Sequence, residues 1–291
     1  MTEKTEQQLL DMKRWGANTA RFQVSQGALA YEHAHQLSAY TDMVLSVIRR
    51  ARAAGLIVIV SMQPESLSCT PLRSNGQKRK LPDRQTEEAW AQLAPVLAQL
   101  GPGVMLEIFN EPNTRLACGK RNWTDWAYGC DDDDVGMVPL AQFVRKLAPE
   151  DVLLLDGDMN AGTFAGFDPP AWIPSNSAYA IHPYGYADGP AEKSPNWDRR
   201  FGDFQNQGHA IVATEWCKTT WQFAKSHPYF YRFHPAAARR KALLAKQLVK
   251  NYLPAHYIGI IIYSRDAPAI GAMERHPYAA AVFTGAKWVF R

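Results

Sequence analysis

Apolar positions along the chain switch repeatedly between helical spacing and short continuous runs. Residues Thr5 to Trp15 carry acids early, Lys13 and Arg14 late, and Gly16 as a stop, so a helix is predicted there. "ANTARFQVS" (17–25) then predicts a strand. Leu37, Tyr40, Val44, Val47, Ile48 and Ala51 fall on one helical face, which predicts a helix over Leu37–Ala54 ended by Gly55. Strand "LIVIVSM" follows. A third helical segment begins near Thr86, and Pro95 is expected to kink or divide it. After it comes "GVMLEIFNEPN", an apolar run that stops at an amide, a carboxylate and a proline.

The second half continues in kind. A helix over Val135–Leu147 leads to "VLLLDGD". A loop-rich stretch leads to "AYAIHPYG", and a short helical piece near Trp197–Asn206 leads to "AIVATEW". A helix over Ala236–Tyr252 leads to "YIGIIIYSRDA". Apolar runs of this kind suit strands covered by helices, and the alternation of helix and strand predicts a parallel sheet. Seven strands are counted, near residues 17–24, 56–62, 103–109, 151–156, 178–182, 209–214 and 257–263. A closed barrel needs eight, whereas an open doubly wound sheet manages with seven. The polar strand ends favour the barrel: Arg21, Gln63 and Glu65, Asn110 and Glu111, Asp156 and Asp158, His182 and Tyr184, Glu215, and Ser264 to Asp266. A ring of such ends is how a barrel builds a site. A dinucleotide or phosphate fold would concentrate its signal in one glycine-rich turn, and no GxGxxG or GxxxxGK[ST] occurs.

Composition narrows the reading further. The 291 residues are 46% hydrophobic and 21% charged, with a net charge of +4. The expectation is a single domain over 1–291. The basic runs Lys78 to Lys80 and Arg239 to Lys241 read as a solvated loop and a solvated helix face, so no nucleic-acid partner is expected. No apolar run is long enough for a membrane span. The N-terminus carries no signal-peptide core. Cys118 and Cys130 bracket a loop rich in Trp and Asp, which a disulfide between them would close. Cys69 and Cys217 are a second pair or free thiols. The acids of "CDDDD" (130–134) lack the spacing of a calcium loop and are expected to cap the helix over Val135–Leu147.

Two glutamates end strands in similar settings, Glu111 in "EIFNEP" and Glu215 in "IVATEW". Hydrolysis of a glycosidic bond uses two carboxyl groups facing each other across the scissile bond. A single strand-end Glu is more commonly a loop residue or an ion-pair partner. Glu107, sharing the strand face of Phe109 and Glu111, reads as a buried partner for Arg21 rather than a catalyst.

"EIFNEPN" resembles the Asn-Glu-Pro signature of glycoside hydrolase family 5, the cellulase family of retaining (β/α)8 barrels. "GANTAR", "HPY" and "ATEW" are similar to three further motifs of that family, in the family's order. The resemblance implies a TIM barrel whose first strand is absent from the N-terminus. Residues 286–290 in "TGAKWVFR" replace that strand, or else form a final helix or tail. It implies Glu111 as acid/base, Glu215 as nucleophile, Asn110 as a contact to the sugar 2-hydroxyl, and Arg21, His182 and Tyr184 as supporting groups. Gln63 (or Met62) stands where the family has a His, and Tyr263 where it has a Trp. Both departures bear on specificity more than on mechanism.

Long loops carry Trp123, Trp126, Tyr128, Trp172, Tyr186, Trp197, Trp216, Trp221, Tyr229, Phe230 and Tyr231. Sugar rings stack on aromatic faces, and half of these residues are expected to anchor the loops instead. Trp216, beside Glu215, is the expected sugar platform. The expectation is a monomeric endo-acting glycosidase for a β-1,4-glucan or mannan, without cofactor or metal, secreted or periplasmic. A hydrolase of a microbial exopolysaccharide and a catalytically silent carbohydrate-binding barrel are the alternatives.

Overall fold

The computed structural model describes residues 3–14, 16–64, 80–183, 196–215 and 259–260. Helix α1 (Glu3–Arg14) precedes strand β1 (Thr19–Ser25), and helices α2 (Gln26–His35) and α3 (Ala39–Ala53) lead to β2 (Ile57–Gln63). Helix α4 (Arg84–Ala98) precedes β3 (Val104–Glu107). Helices α5 (Thr114–Cys118), α6 (Trp123–Tyr128) and α7 (Met137–Leu147) precede β4 (Val152–Asp156). Strands β5 (Ser177–Ile181), β6 (Ile211–Ala213) and β7 (Gly259–Ile260) follow. A π turn over Asp198–Gly202 and one α turn over Asp203–Asn206 lie between β5 and β6.

The seven strands form one parallel sheet in strict chain order, β1 to β7. A doubly wound sheet reverses its strand order at a switch point. No reversal occurs here, so the sheet winds in one sense, as in a (β/α)8 barrel. The proposed replacement of the first strand by residues 286–290 lies outside the described residues, as does the helix expected over Ala236–Tyr252.

The two faces of the sheet are built differently. Val58, Val60, Leu106, Leu153, Leu155 and Ile181 point towards the helices and join Leu45, Ile48, Trp90, Leu93 and Val144 in one large core. The opposite face holds a small cluster of Ile59, Leu154, Ala178 and Ala180. Register carries this alternation across the sheet: Arg21 aligns with Ile59 and Met105, and Gln23 aligns with Ser61, Glu107 and Leu154. Along β2, β3, β4 and β5 the face away from the helices is therefore apolar at the start and polar at the end, whereas β1 is polar throughout on that face.

Some elements differ from the sequence reading. Helix α2 has no apolar stripe, because Gln26, Gly27 and Glu32 are buried beside Leu29 and Ala30. Ser25, the last residue of β1, caps it directly by accepting from Ala28 N. The Glu32 carboxylate accepts from the N–H groups of Tyr40 and Thr41 and so ties α2 to the start of α3. Leu37 lies before α3 and is exposed. Pro95 does not divide α4, which runs unbroken from an Asp83–Thr86 capping box to Ala98. Pro95 stands in the last turn, where its missing N–H removes a single bond near the helix end. The acids at 131–134 do not cap α7, whose cap is Gly136, with φ +78 and no side-chain bond. A Cβ on Gly136 would meet Ala127 O at 2.5 Å, so the chain passes too close to α6 for any other residue. The acids instead shape the preceding turn: Asp131 accepts from Asp133 N, and Asp134 from Cys130 N.

Candidate active site

Arg21 on β1 is the hub of the polar end of the sheet. Its Nε donates to Glu107 Oε2 (2.5 Å) and its NH1 to Glu215 Oε1 (2.6 Å). Its NH2 donates to Ser61 Oγ and to Asn110 Oδ1, each at 2.8 Å. Burial alone would lower the guanidinium pKa, but the charges of Glu107 and Glu215 outweigh it and raise it. Burial likewise pushes the Glu107 carboxyl up. Arg21 and His182 together more than offset that and hold it below the usual carboxylate range. Glu107 is thus a fully buried ion-pair partner. Its strand ends there: Phe109 belongs to the helix-side core, so it does not share a face with Glu107.

Glu215 follows β6. Its Oε1 accepts from both Arg21 and Gln23 Nε2 (3.1 Å), and its Oε2 lies 3.8 Å from His182 Nδ1. Glu111 follows β3 and is more open, its side chain 27% exposed against 7% for Glu215. Gln63 ends β2 on this side, donating to Ser61 Oγ at 3.2 Å, whereas Met62 is fully buried in the helix-side core.

His182, just beyond β5, joins the two carboxylates. Its Nδ1 is hydrogen-bonded to Glu111 Oε1 (3.0 Å) and its Nε2 to Thr214 Oγ1 (3.1 Å). Burial would lower the imidazole pKa. The carboxylates of Glu107, Glu111, Glu215 and Asp156 around it prevail and lift it to about 10. Two groupings around His182 have the composition of a metal site, one with Glu107 and Asp156 and one with Glu111 and Glu215.

The backbone around Glu111 is held in an uncommon shape. Glu111 has φ +57, and its N–H donates to Asp156 Oδ2 at 2.9 Å. After β4 the chain makes a left-handed turn, with Met159, Asn160 and Ala161 at φ +58, +59 and +55. Such residues cost about 1–2 kcal/mol each unless their surroundings fix them. Here Asn160 N donates to Pro112 O (2.9 Å), Asn113 Nδ2 to Asn160 Oδ1 (3.1 Å), and His182 N to Ala161 O (2.7 Å). The turn clamps the Glu111 loop on one side and His182 on the other. Asp158 adds a third tie by accepting from Thr114 N and Oγ1.

The described loops bear out only part of the aromatic expectation. Trp126 is fully buried and donates to Asp156 O, and Trp123 packs 4.6 Å from Phe167, so both anchor loops. Trp197 packs against the core. Tyr128 and Trp172 are exposed, their rings 6.2 Å apart. Cys118 and Cys130 form a disulfide with Cα atoms 5.9 Å apart. Tyr184, Trp216 and Tyr263 lie outside the described residues, as do Cys69 and Cys217. Arg21, Gln63, Asn110, Glu111, His182 and Glu215 come together. Gln23, Ser61 and Thr214 join them although the sequence reading passed them over. Their signal was period-two spacing: Gln23 stands two residues from Arg21, and Ser61 two from Gln63.

A family model described as cellulase (glycosyl hydrolase family 5) matches residues 1–233. No curated protein matches the sequence. Among solved structures, an endoglucanase of Pseudomonas stutzeri superposes with a TM-score of 0.67 at 13% identity, over 98% of this chain and 86% of that one. A hyperthermophilic endocellulase of Pyrococcus horikoshii gives 0.65 at 15% identity, over 89% and 78%. A β-glucanase of Saccharophagus degradans gives 0.63 at 17%, over 94% and 80%. At these identities the structural likeness speaks for the barrel fold.

Proposed function

The chain belongs to glycosyl hydrolase family 5, the cellulase family, and on that premise we propose that it cuts a β-1,4-linked glucan or mannan internally, with retention at the anomeric carbon. The carrying observation is that a carboxylate oxygen of Glu111 and one of Glu215 lie within 4.8 Å of each other. Retaining pairs stand about 5–5.5 Å apart, whereas inverting pairs leave room for a water at roughly 6.5 Å or more.

The surroundings of the two acids divide the roles. Glu215 is held through Oε1 by Arg21 and Gln23, which fixes its orientation and leaves Oε2 on the side of Glu111. Oε2 attacks the anomeric carbon while Glu111 passes its proton to the departing glycosidic oxygen. A glycosyl ester on Glu215 results. Glu111 then takes a proton from water as that water attacks the ester, which releases the sugar and restores both groups. Arg21 holds Asn110 Oδ1, so the amide offers its NH2 group to a sugar hydroxyl. An endocellulase of Pyrococcus horikoshii has been solved with cellotetraose, and a β-linked tetrasaccharide is the corresponding probe here. The Cys118–Cys130 disulfide fits work in an oxidising compartment outside the cytoplasm.

Glu215→Ala and Glu111→Ala are each expected to lower kcat on an aryl β-glycoside by roughly 10³-fold or more. Azide is expected to restore turnover in both, giving the α-glycosyl azide with Glu215→Ala and the β-anomer with Glu111→Ala. An inverted first-formed product from the wild type, read by proton NMR, would sink the retaining reading. A panel of polysaccharides with product sizing decides the sugar and the internal cut.

A further inference from the structure

Asp156 ends β4 beside the two glutamates. It is fully buried. Its Oδ2 accepts the Glu111 N–H at 2.9 Å and lies 3.9 Å from His182 Nε2. Glu107 Oε1 lies at the same 3.9 Å from that nitrogen. A carboxyl oxygen of Asp156 and one of Glu107 fall within 4.8 Å of each other. Each acid also has one buried oxygen, Asp156 Oδ1 and Glu107 Oε1, with no hydrogen-bond partner among the described residues. Two adjoining buried carboxyl groups, each with one oxygen unpartnered, favour a proton between them, since like charges at this range do not both persist away from water.

Charge balance points the same way. Among the described residues, the buried cations of this cluster are Arg21 from β1 and His182, just beyond β5. The charges of Glu107 and Glu215 already match them. A further charge on Asp156 would leave the cluster negative beneath an acid that has to donate a proton. Burial pushes the Asp156 carboxyl up and the charge of Glu107 pushes it further, well above its usual range.

We propose that Asp156 is a positioning residue for Glu111 that works as a neutral carboxylic acid, accepting the Glu111 N–H at one oxygen and directing its own proton towards Glu107 with the other. This rests on the reading of Glu111 as acid/base. Its consequence is that the left-handed backbone at Glu111 is fixed by an uncharged acceptor, which adds no negative charge next to His182 and the reacting pair.

Asparagine reproduces a neutral acid in shape and polarity, with one acceptor and one donor arm, whereas alanine has neither. Asp156→Asn is therefore expected to keep kcat within about threefold, with the pH profile unmoved. Asp156→Ala is expected to lower kcat about thirtyfold or more with KM changed less than threefold, a cost in the range of a misplaced catalytic group. The infrared difference between wild type and Asp156→Asn at pH 7 is expected to show loss of a protonated carboxylic-acid band. Loss of a carboxylate pair instead, or an Asp156→Asn enzyme as impaired as Asp156→Ala, overturns the proposal, as does full activity in both variants. The infrared arm needs no turnover, so it decides the protonation even if the wild type hydrolyses no glycoside and the glycosidase reading falls.

Discussion

The two faces of the sheet obey opposite rules. Towards the helices, strands β1 to β6 contribute to one large apolar core. On the other face, the small apolar layer of Ile59, Leu154, Ala178 and Ala180 gives way within one or two residues to Arg21, Ser61, Glu107, Asp156 and His182. The first face holds the strands together by burial, at about 1.5–3 kcal/mol for each large side chain. The second uses that rigidity to keep two cations and several carboxyl groups out of water, an arrangement that would not assemble by itself. Stability and chemistry are thus carried by alternate residues of the same strands.

Substitutions on each face separate the two contributions. Arg21→Leu is expected to have the largest effect, because it leaves Glu107 and Glu215 without their cation. A loss of about 3–5 kcal/mol in urea unfolding is expected, together with loss of hydrolysis. Leu106→Ala on the helix side is expected to cost about 2–5 kcal/mol, yet the folded variant should keep kcat within about threefold of wild type, since no reacting group moves. Equal damage to kcat from both substitutions would erase the distinction between the faces.

The smallest effect is on the pH dependence of stability. His182 has its folded pKa raised to about 10 from the ordinary 6.5. Its contribution is therefore complete below about pH 6.5 and is lost as pH rises through 10. Glu107 has the opposite sign: it is held below the ordinary 4.5, so its contribution is present above that pH and is lost on acidification. The wild-type Tm is expected to fall by several degrees between pH 6.5 and 10, and His182→Asn to flatten that fall. Leu106→Ala should lower the whole curve without changing its shape. An alkaline fall that survives in His182→Asn would assign it to other groups.

Much of this was legible in the chain. Strand order and the places of Arg21, Asn110, Glu111, His182 and Glu215 follow from apolar runs that end in particular polar residues, because a parallel barrel gathers its strand ends. What escaped has physical reasons. Helix α2 buries Gln26 and Glu32, so its burial follows tertiary hydrogen bonds rather than an apolar stripe. The acids before α7 read as caps in the sequence, but the close pass at Gly136 sets that helix start instead. Ser61 and Gln23 sit inside strands that read as largely apolar, and only the pleat shows that they face the site. The positive φ of Glu111 has no sequence signature, since it is imposed by Asp156 and Asn160 from another strand end.

The left-handed turn at 159–161 also bears on the order of assembly. Its bonds run to Pro112 O and from His182 N, residues that follow β3 and β5. Three consecutive residues in that conformation gain nothing in a chain where those partners are still apart. The turn therefore closes only after β3, β4 and β5 have paired. The site is accordingly among the last parts of the sheet to form and the first to open. Amide exchange at Asn160 and His182 is expected to report that opening before the core strands give way.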